Sequence, residues 1–167
     1  MTRMMLVLGF GSMVAACGGG DDTPPTCSMT VSGDVTLTRG CTVSLCNVPD
    51  APAYEVLRIT PDTTMDTSFV FDLERDGTMT FEAGKSYSIT DFSDGRIELK
   101  DGSKTYMARP ATASRDAAET VQLVVDDVNA DTCDGYLTGA LSIGMVEVQP
   151  NNSVGAGRVM VTVSISK

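Results

Sequence analysis

From Val159 to Ile165 every odd-numbered residue is a β-branched aliphatic: Val159, Val161, Val163 and Ile165. Arg158, Met160, Thr162, Ser164 and Ser166 occupy the even positions. A repeat of two puts one set of side chains on each face of a strand, and no α-helix can segregate such a pattern. The same parity governs the other end of the domain. Cys27, Met29, Val31, Val35, Leu37, Cys41, Val43 and Leu45 all fall on odd numbers, with Gly33 and Arg39 as the exceptions. Ser32-Gly33-Asp34 reads as a tight turn that sets Cys27 opposite Cys41, or as a bulge in one long strand.

Between these ends the alternation returns repeatedly, punctuated by turn residues. Tyr54–Thr60 is followed by Pro61-Asp62, and Asn47 to Ala53 is a loop. Phe69, Phe71 and Leu73 lead through Asp76-Gly77 to Met79 and Phe81, and Gly84 precedes Tyr87 and Ile89. Asp94-Gly95 and Asp101-Gly102 bracket Ile97 and Leu99, as expected of hairpins. Arg109 to Thr120 reads as a crossover loop with a helical turn at Ser114–Glu119. Val121, Leu123 and Val125 restore the strand, Asp126 to Gly135 reads as a polar loop, and Tyr136–Val148 as a long strand bent at Gly144.

About ten short strands without a helical period make an all-β domain. Half-polar strands predict an antiparallel β-sandwich, two sheets packed face to face. The alternative is an up-and-down β-barrel of lipocalin type, although the Gly-x-Trp signature of lipocalins cannot exist in a chain with no Trp.

The first residues are of another kind. Arg3 is the only charge before an apolar run, Met4 to Ala16, that stops at Cys17. A basic end, a short apolar core and small residues form the layout of a secretory signal. At about 1.5 Å per residue the run makes roughly 20 Å of helix, short of the ~30 Å hydrocarbon core. Val14-Ala15-Ala16-Cys17 resembles the lipobox of bacterial lipoproteins. That resemblance implies cleavage before Cys17, a diacylglycerol on its thiol, and usually an acylated new amino terminus. Residues 1–16 are then a signal peptide, 17–26 a lipid-attachment Cys and flexible linker, and 27–167 one β domain. Gly18 stands where the family's inner-membrane retention signal has Asp, which favours the outer membrane.

Export decides how the other four cysteines are read. An even set outside the cytoplasm implies two disulfides. Cys41 and Cys46 point to opposite faces of a continuous strand, so the expected pairs are Cys27–Cys41 and Cys46–Cys133. Zinc fits poorly, because paired CxxC spacings and His are both missing.

Composition then removes function classes. With no His, neither a Ser-His-Asp nor a Cys-His catalytic set can be assembled. Ser164 and Lys167 form the only Ser-x-x-Lys, at a strand end where the lysine is not brought beside the serine. The carboxylates are many, but no pair is singled out for glycoside hydrolysis. The expectation is a non-enzymatic structural or interaction module. A net charge of −10, without a basic cluster, excludes nucleic acid as a natural partner. Removing residues 1–16 takes one basic and no acidic residue, and deepens that charge by one unit.

One local pattern carries ligand chemistry. Asp127, Asn129 and Asp131 have the Asp-x-Asn-x-Asp spacing with which calcium loops begin, and Asp134 adds a further oxygen donor. The sixth position is Thr132 rather than Gly, and Thr138 stands where a bidentate Glu belongs, so the same residues also read as a solvated turn. No other cofactor is implied. The expected partners are the membrane, through acylated Cys17, and an envelope protein or glycan. Tyr54 and Tyr136, which adjoin loops, are the candidates for stacking a sugar; Tyr87 shares the parity of Ile89 and belongs to the core. A small apolar ligand in a barrel lumen is the remaining reading.

Overall fold

A computed structural model describes residues 25–48, 54–62, 67–76, 81–109, 114–129 and 135–167. Its ten strands are β1 (Thr26–Gly33), β2 (Leu37–Val48), β3 (Tyr54–Pro61), β4 (Thr67–Asp76), β5 (Ser86–Ser88), β6 (Asp94–Asp101), β7 (Lys104–Ala108), β8 (Thr120–Asn129), β9 (Tyr136–Val148) and β10 (Val154–Ser166). Ile89–Asp91 forms a single 3-10 turn between β5 and β6.

The sheet does not divide into two layers. Its order, β10-β1-β2-β3-β4-β6-β7-β9, returns to β10 and closes an antiparallel ring of eight strands. The β-sandwich is therefore corrected to a barrel, the alternative reading. The decision is made by β10, whose two edges are both paired. Thr26↔Ser166 through Gly33↔Val159 joins it to β1, and Arg158↔Val146 through Ile165↔Gly139 joins it to β9. Both architectures alternate apolar and polar residues along each strand, but only closure removes the free edges.

The two remaining strands branch from the ring. Along one edge β9 is paired by β7 at Val146 and Glu147, and by β8 from Tyr136 to Gly144. A short β5 completes this leaf against β8. Val121, Leu123 and Val125 of β8 are buried together with Phe81, Tyr87, Ile89 and Phe92, so the leaf adds its own apolar face to the barrel core.

Three local expectations change. The polar stretch from Asp126 is strand as far as Asn129, because a bulge between Val125 and Asp127 absorbs an extra acidic residue while pairing continues. Gly139 faces this bulge at φ +146, where a Cβ would collide with the Val124 carbonyl. Asp94-Gly95 lies inside β6, paired with Glu74 and Leu73; the chain reverses earlier, at Ile89–Asp91, where Asp91 accepts from the Ser88 amide at 2.6 Å. The Arg109–Thr120 segment joins two neighbours of β9 rather than two sheets, and its described residues 114–119 form a turn, Glu119 N to Asp116 O at 3.0 Å, instead of a helical turn.

Candidate functional site

The sequence-predicted residues separate by position. Cys27 and Cys41 are directly opposed across β1 and β2, with Cα atoms 4.8 Å apart, and form a disulfide. Cys46 is also disulfide-bonded. Next to it, Leu45 donates its amide to the Gly135 carbonyl at 3.2 Å. Cys17, Cys133, Asp131 and Asp134 lie outside the described residues.

Asp127 and Asn129 sit near the end of β8, opposite Thr138 and Tyr136. The Asp127 carboxylate accepts from the Val128 amide at 2.9 Å and from the Tyr136 hydroxyl at 3.2 Å. Lys167 Nζ covers the Tyr136 ring at 4.2 Å from its centroid, so that ring is not bare for sugar stacking. Tyr87 is in the core, as its parity requires, and the Tyr54 side chain lies outside those described. Among the described residues no group of three or more His, Cys, Asp or Glu is arranged to hold a metal ion.

The barrel lumen is packed with side chains. Met29, Leu45, Leu57, Ile59, Phe71, Leu73, Ile97, Leu99 and Tyr106 are all fully buried. Polar groups inside this core serve its construction. Arg75 is buried at the end of β4 against the edge-to-face rings of Phe81 and Tyr87, at 4.9 and 4.3 Å from their centroids, and its Nε and Nη1 have no hydrogen-bond partner. The Tyr106 hydroxyl likewise finds none; burial raises its pKa, against the opposing pull of Lys104. Near the start of β10, Glu147 and Asp34 accept from the Gly157 and Arg158 amides at 3.1 and 3.2 Å. Arg158 meanwhile donates to the Gly155 and Gly157 carbonyls at 2.7 and 2.8 Å. These contacts brace a bulged strand and leave the three charged side chains engaged.

The outer wall differs from side to side. Across β3, β4 and β6 it is charged: Arg58 pairs with Asp72 at 2.7 Å, and Glu98 lies between Arg96 and Lys100 at 3.0 and 3.1 Å. Across β1, β10, β9 and β8 it is a trough of about 400 Å³ lined by Ser28, Thr30, Gln122, Val124, Ala140, Ser142, Thr162 and Ser164, without one charged side chain. Thr30, Thr162, Ser142 and Gln122 are successive partners across the four strands. Ala140 and Ser142 on β9 are short, which gives the trough its depth. A separate depression of about 250 Å³ lies further along β10, beside Met160 and Arg158. This trough is the candidate site. Sequence reasoning missed it, although the outward Ser and Thr of β1 and β10 were its visible signal.

No protein-family model, curated protein or solved structure matches the chain.

Proposed function

We propose that the chain is a lipid-anchored cell-envelope protein whose barrel acts, without catalysis, as a structural or interaction module. The observation that carries this reading is Val14-Ala15-Ala16-Cys17 at the end of the apolar run from Met4. Two or more acyl chains on Cys17 would hold the protein stably, since each buried CH₂ contributes about 0.8 kcal/mol while a single chain binds only marginally. Among the described residues no helix is long and apolar enough to cross a membrane. Gly18 directs the tether to the outer membrane, and the Cys27–Cys41 disulfide suits an oxidising compartment. We pair Cys46 with Cys133, which the Leu45–Gly135 bridge supports by bringing β2 to the start of β9.

The module half of the reading rests on where the barrel has room. Its lumen is taken up by Phe71, Leu99, Tyr106 and their neighbours, which disfavours a carrier of small apolar ligands. Recognition then belongs to the outer wall.

Metabolic labelling with palmitate and mass spectrometry of the mature amino terminus test the anchor. The expected product begins at a diacylglyceryl-modified Cys17, and Cys17→Ser abolishes the label and leaves the precursor uncut. An unlabelled wild-type protein, or cleavage elsewhere, overturns the reading.

A further inference from the structure

We propose that the trough on the outer wall of β1, β10, β9 and β8 binds an uncharged glycan chain, an inference that rests on the envelope reading for the supply of such a ligand. Its volume, about 400 Å³, falls within the roughly 300–1,000 Å³ of small-ligand clefts. Its polar lining consists of Ser28, Thr30, Ser142, Thr162 and Ser164 hydroxyls and the Gln122 amide. Each can both donate and accept, as the hydroxyls of a sugar do. Few of these groups are committed elsewhere. Thr162 reaches the Thr30 carbonyl at 3.4 Å, and Ser142 reaches the Met160 sulfur at 3.4 Å. No hydrogen bond among the described residues engages the side chains of Ser28, Gln122 or Ser164.

The chemistry disfavours charged and purely apolar ligands. A fifth of the chain is charged, yet no charge lines this trough. A phosphate, a nucleic acid or a charged peptide would find no counter-charge there. An alkyl chain would cover the hydroxyls without pairing them, at about 1–3 kcal/mol for each group left unsatisfied. A neutral polyol satisfies the lining, and its C–H faces have apolar surface to rest on. Val124 and Met160 are 37% and 41% exposed, the one in the trough and the other in the neighbouring depression. A chain of sugars, unlike a single ring, would find a second place to rest in the separate depression further along β10. Arg158 at its far end is already held by the Gly155 and Gly157 carbonyls.

The test uses the full mature protein in detergent micelles, cosedimented with peptidoglycan sacculi and titrated by NMR with chitotetraose, cellotetraose and maltotetraose. Saturable binding to at least one probe is expected, with amide shifts on β1 and β8–β10. Ala140→Arg, which fills the floor, and Gln122→Ala, which only shortens an exposed side chain, should each weaken binding by about tenfold, the worth of one good hydrogen bond or more. Ser44→Arg, on the outer face of β2 away from the trough, should leave it unchanged. Absence of binding to all four probes, or binding indifferent to both trough variants, overturns the proposal. So does concentration-dependent self-association abolished by Ala140→Arg, which would make this wall an interface between copies. Mass spectrometry of the same preparation reports the lipid on Cys17 separately, so the two readings fail independently.

Discussion

Arg109 and Glu119 meet at the fork of the sheet, where the chain leaves β7 and returns to begin β8. The arginine Nε and Nη2 lie 3.1 and 3.0 Å from Oε1 of a carboxylate that is wholly buried. The contact closes the neck of the intervening segment and fixes where β9 passes from one partner to the other. Removing one member leaves the other charge buried and uncompensated, so Arg109→Ala should cost about 3 kcal/mol, the lower end for a broken buried pair because the arginine is partly exposed. Urea unfolding measures this. An effect within error of zero would show that the fork holds without the pair.

The same carboxylate and one on the outer wall should shape the pH dependence in opposite directions. Burial raises the Glu119 pKa, an effect Arg109 opposes but does not cancel. The native state then keeps this proton when the unfolded chain has released it. Its contribution is complete below the ordinary carboxylate range and is lost as pH rises through the native value. For Glu98, burial also pushes upward, but hydrogen bonds and charge from Arg96 and Lys100 outweigh it and hold the pKa low. Its contribution is present above the ordinary range and is lost as pH falls through the native value. Thermal unfolding between pH 3 and about 7, compared across wild type, Glu119→Gln and Glu98→Gln, should show the two differences changing with opposite slopes. Slopes of one sign would refute the assignment.

The Cys27–Cys41 disulfide closes a short loop between adjacent strands, with a separation of 14 residues. On the chain-entropy account a loop of this size is worth about 3 kcal/mol. Paired replacement, Cys27→Ser with Cys41→Ser, should lower stability by that amount and leave the barrel's circular dichroism spectrum intact. Loss of the β spectrum would mean that the bond is a condition of folding.

Arg75 makes a sharper case, because two of its guanidinium nitrogens are buried without hydrogen bonds. Its packing against Phe81 and Tyr87 is worth about 0.5–2 kcal/mol as a cation–π contact, while each unsatisfied polar group costs about 1–3 kcal/mol. Arg75→Met keeps most of the volume and removes the charge, so its stability should lie within about 1 kcal/mol of wild type or above it. Arg75→Ala opens a cavity and should lose about 3 kcal/mol. A methionine variant as damaged as the alanine variant would show that the charge itself is needed.

Much of the wall was legible in the sequence. The parity of Val159 to Ile165 and of Cys27 to Leu45 placed these side chains inward, and of the two readings of Ser32-Gly33-Asp34 the turn is the one that sets Cys27 against Cys41. Closure was not legible. Thr26 and Ser166 pair across almost the whole sequence, and a strand's local pattern does not say which distant strand it will meet. The continuation of β8 through Asp126 and Asp127 was hidden because two acidic residues in succession imitate a loop, and only the bulge reconciles them with pairing. The trough escaped for a related reason. Gln122, Ser142, Thr162 and Thr30 are unremarkable surface residues until register sets them in one row.

The pairing of β1 with β10 also orders events in time. Every stave but the last can be laid in sequence, each against its predecessor or a nearby neighbour, yet the first keeps a bare edge until residues 159–166 arrive. During synthesis that edge waits for nearly the whole chain. The Cys27–Cys41 bond can form long before, locking the opening hairpin while its other side stands unprotected. A barrel of this topology is most vulnerable to pairing with a neighbour's strand just before it is finished, and secretion of a chain truncated within β10 should produce aggregates rather than a smaller barrel.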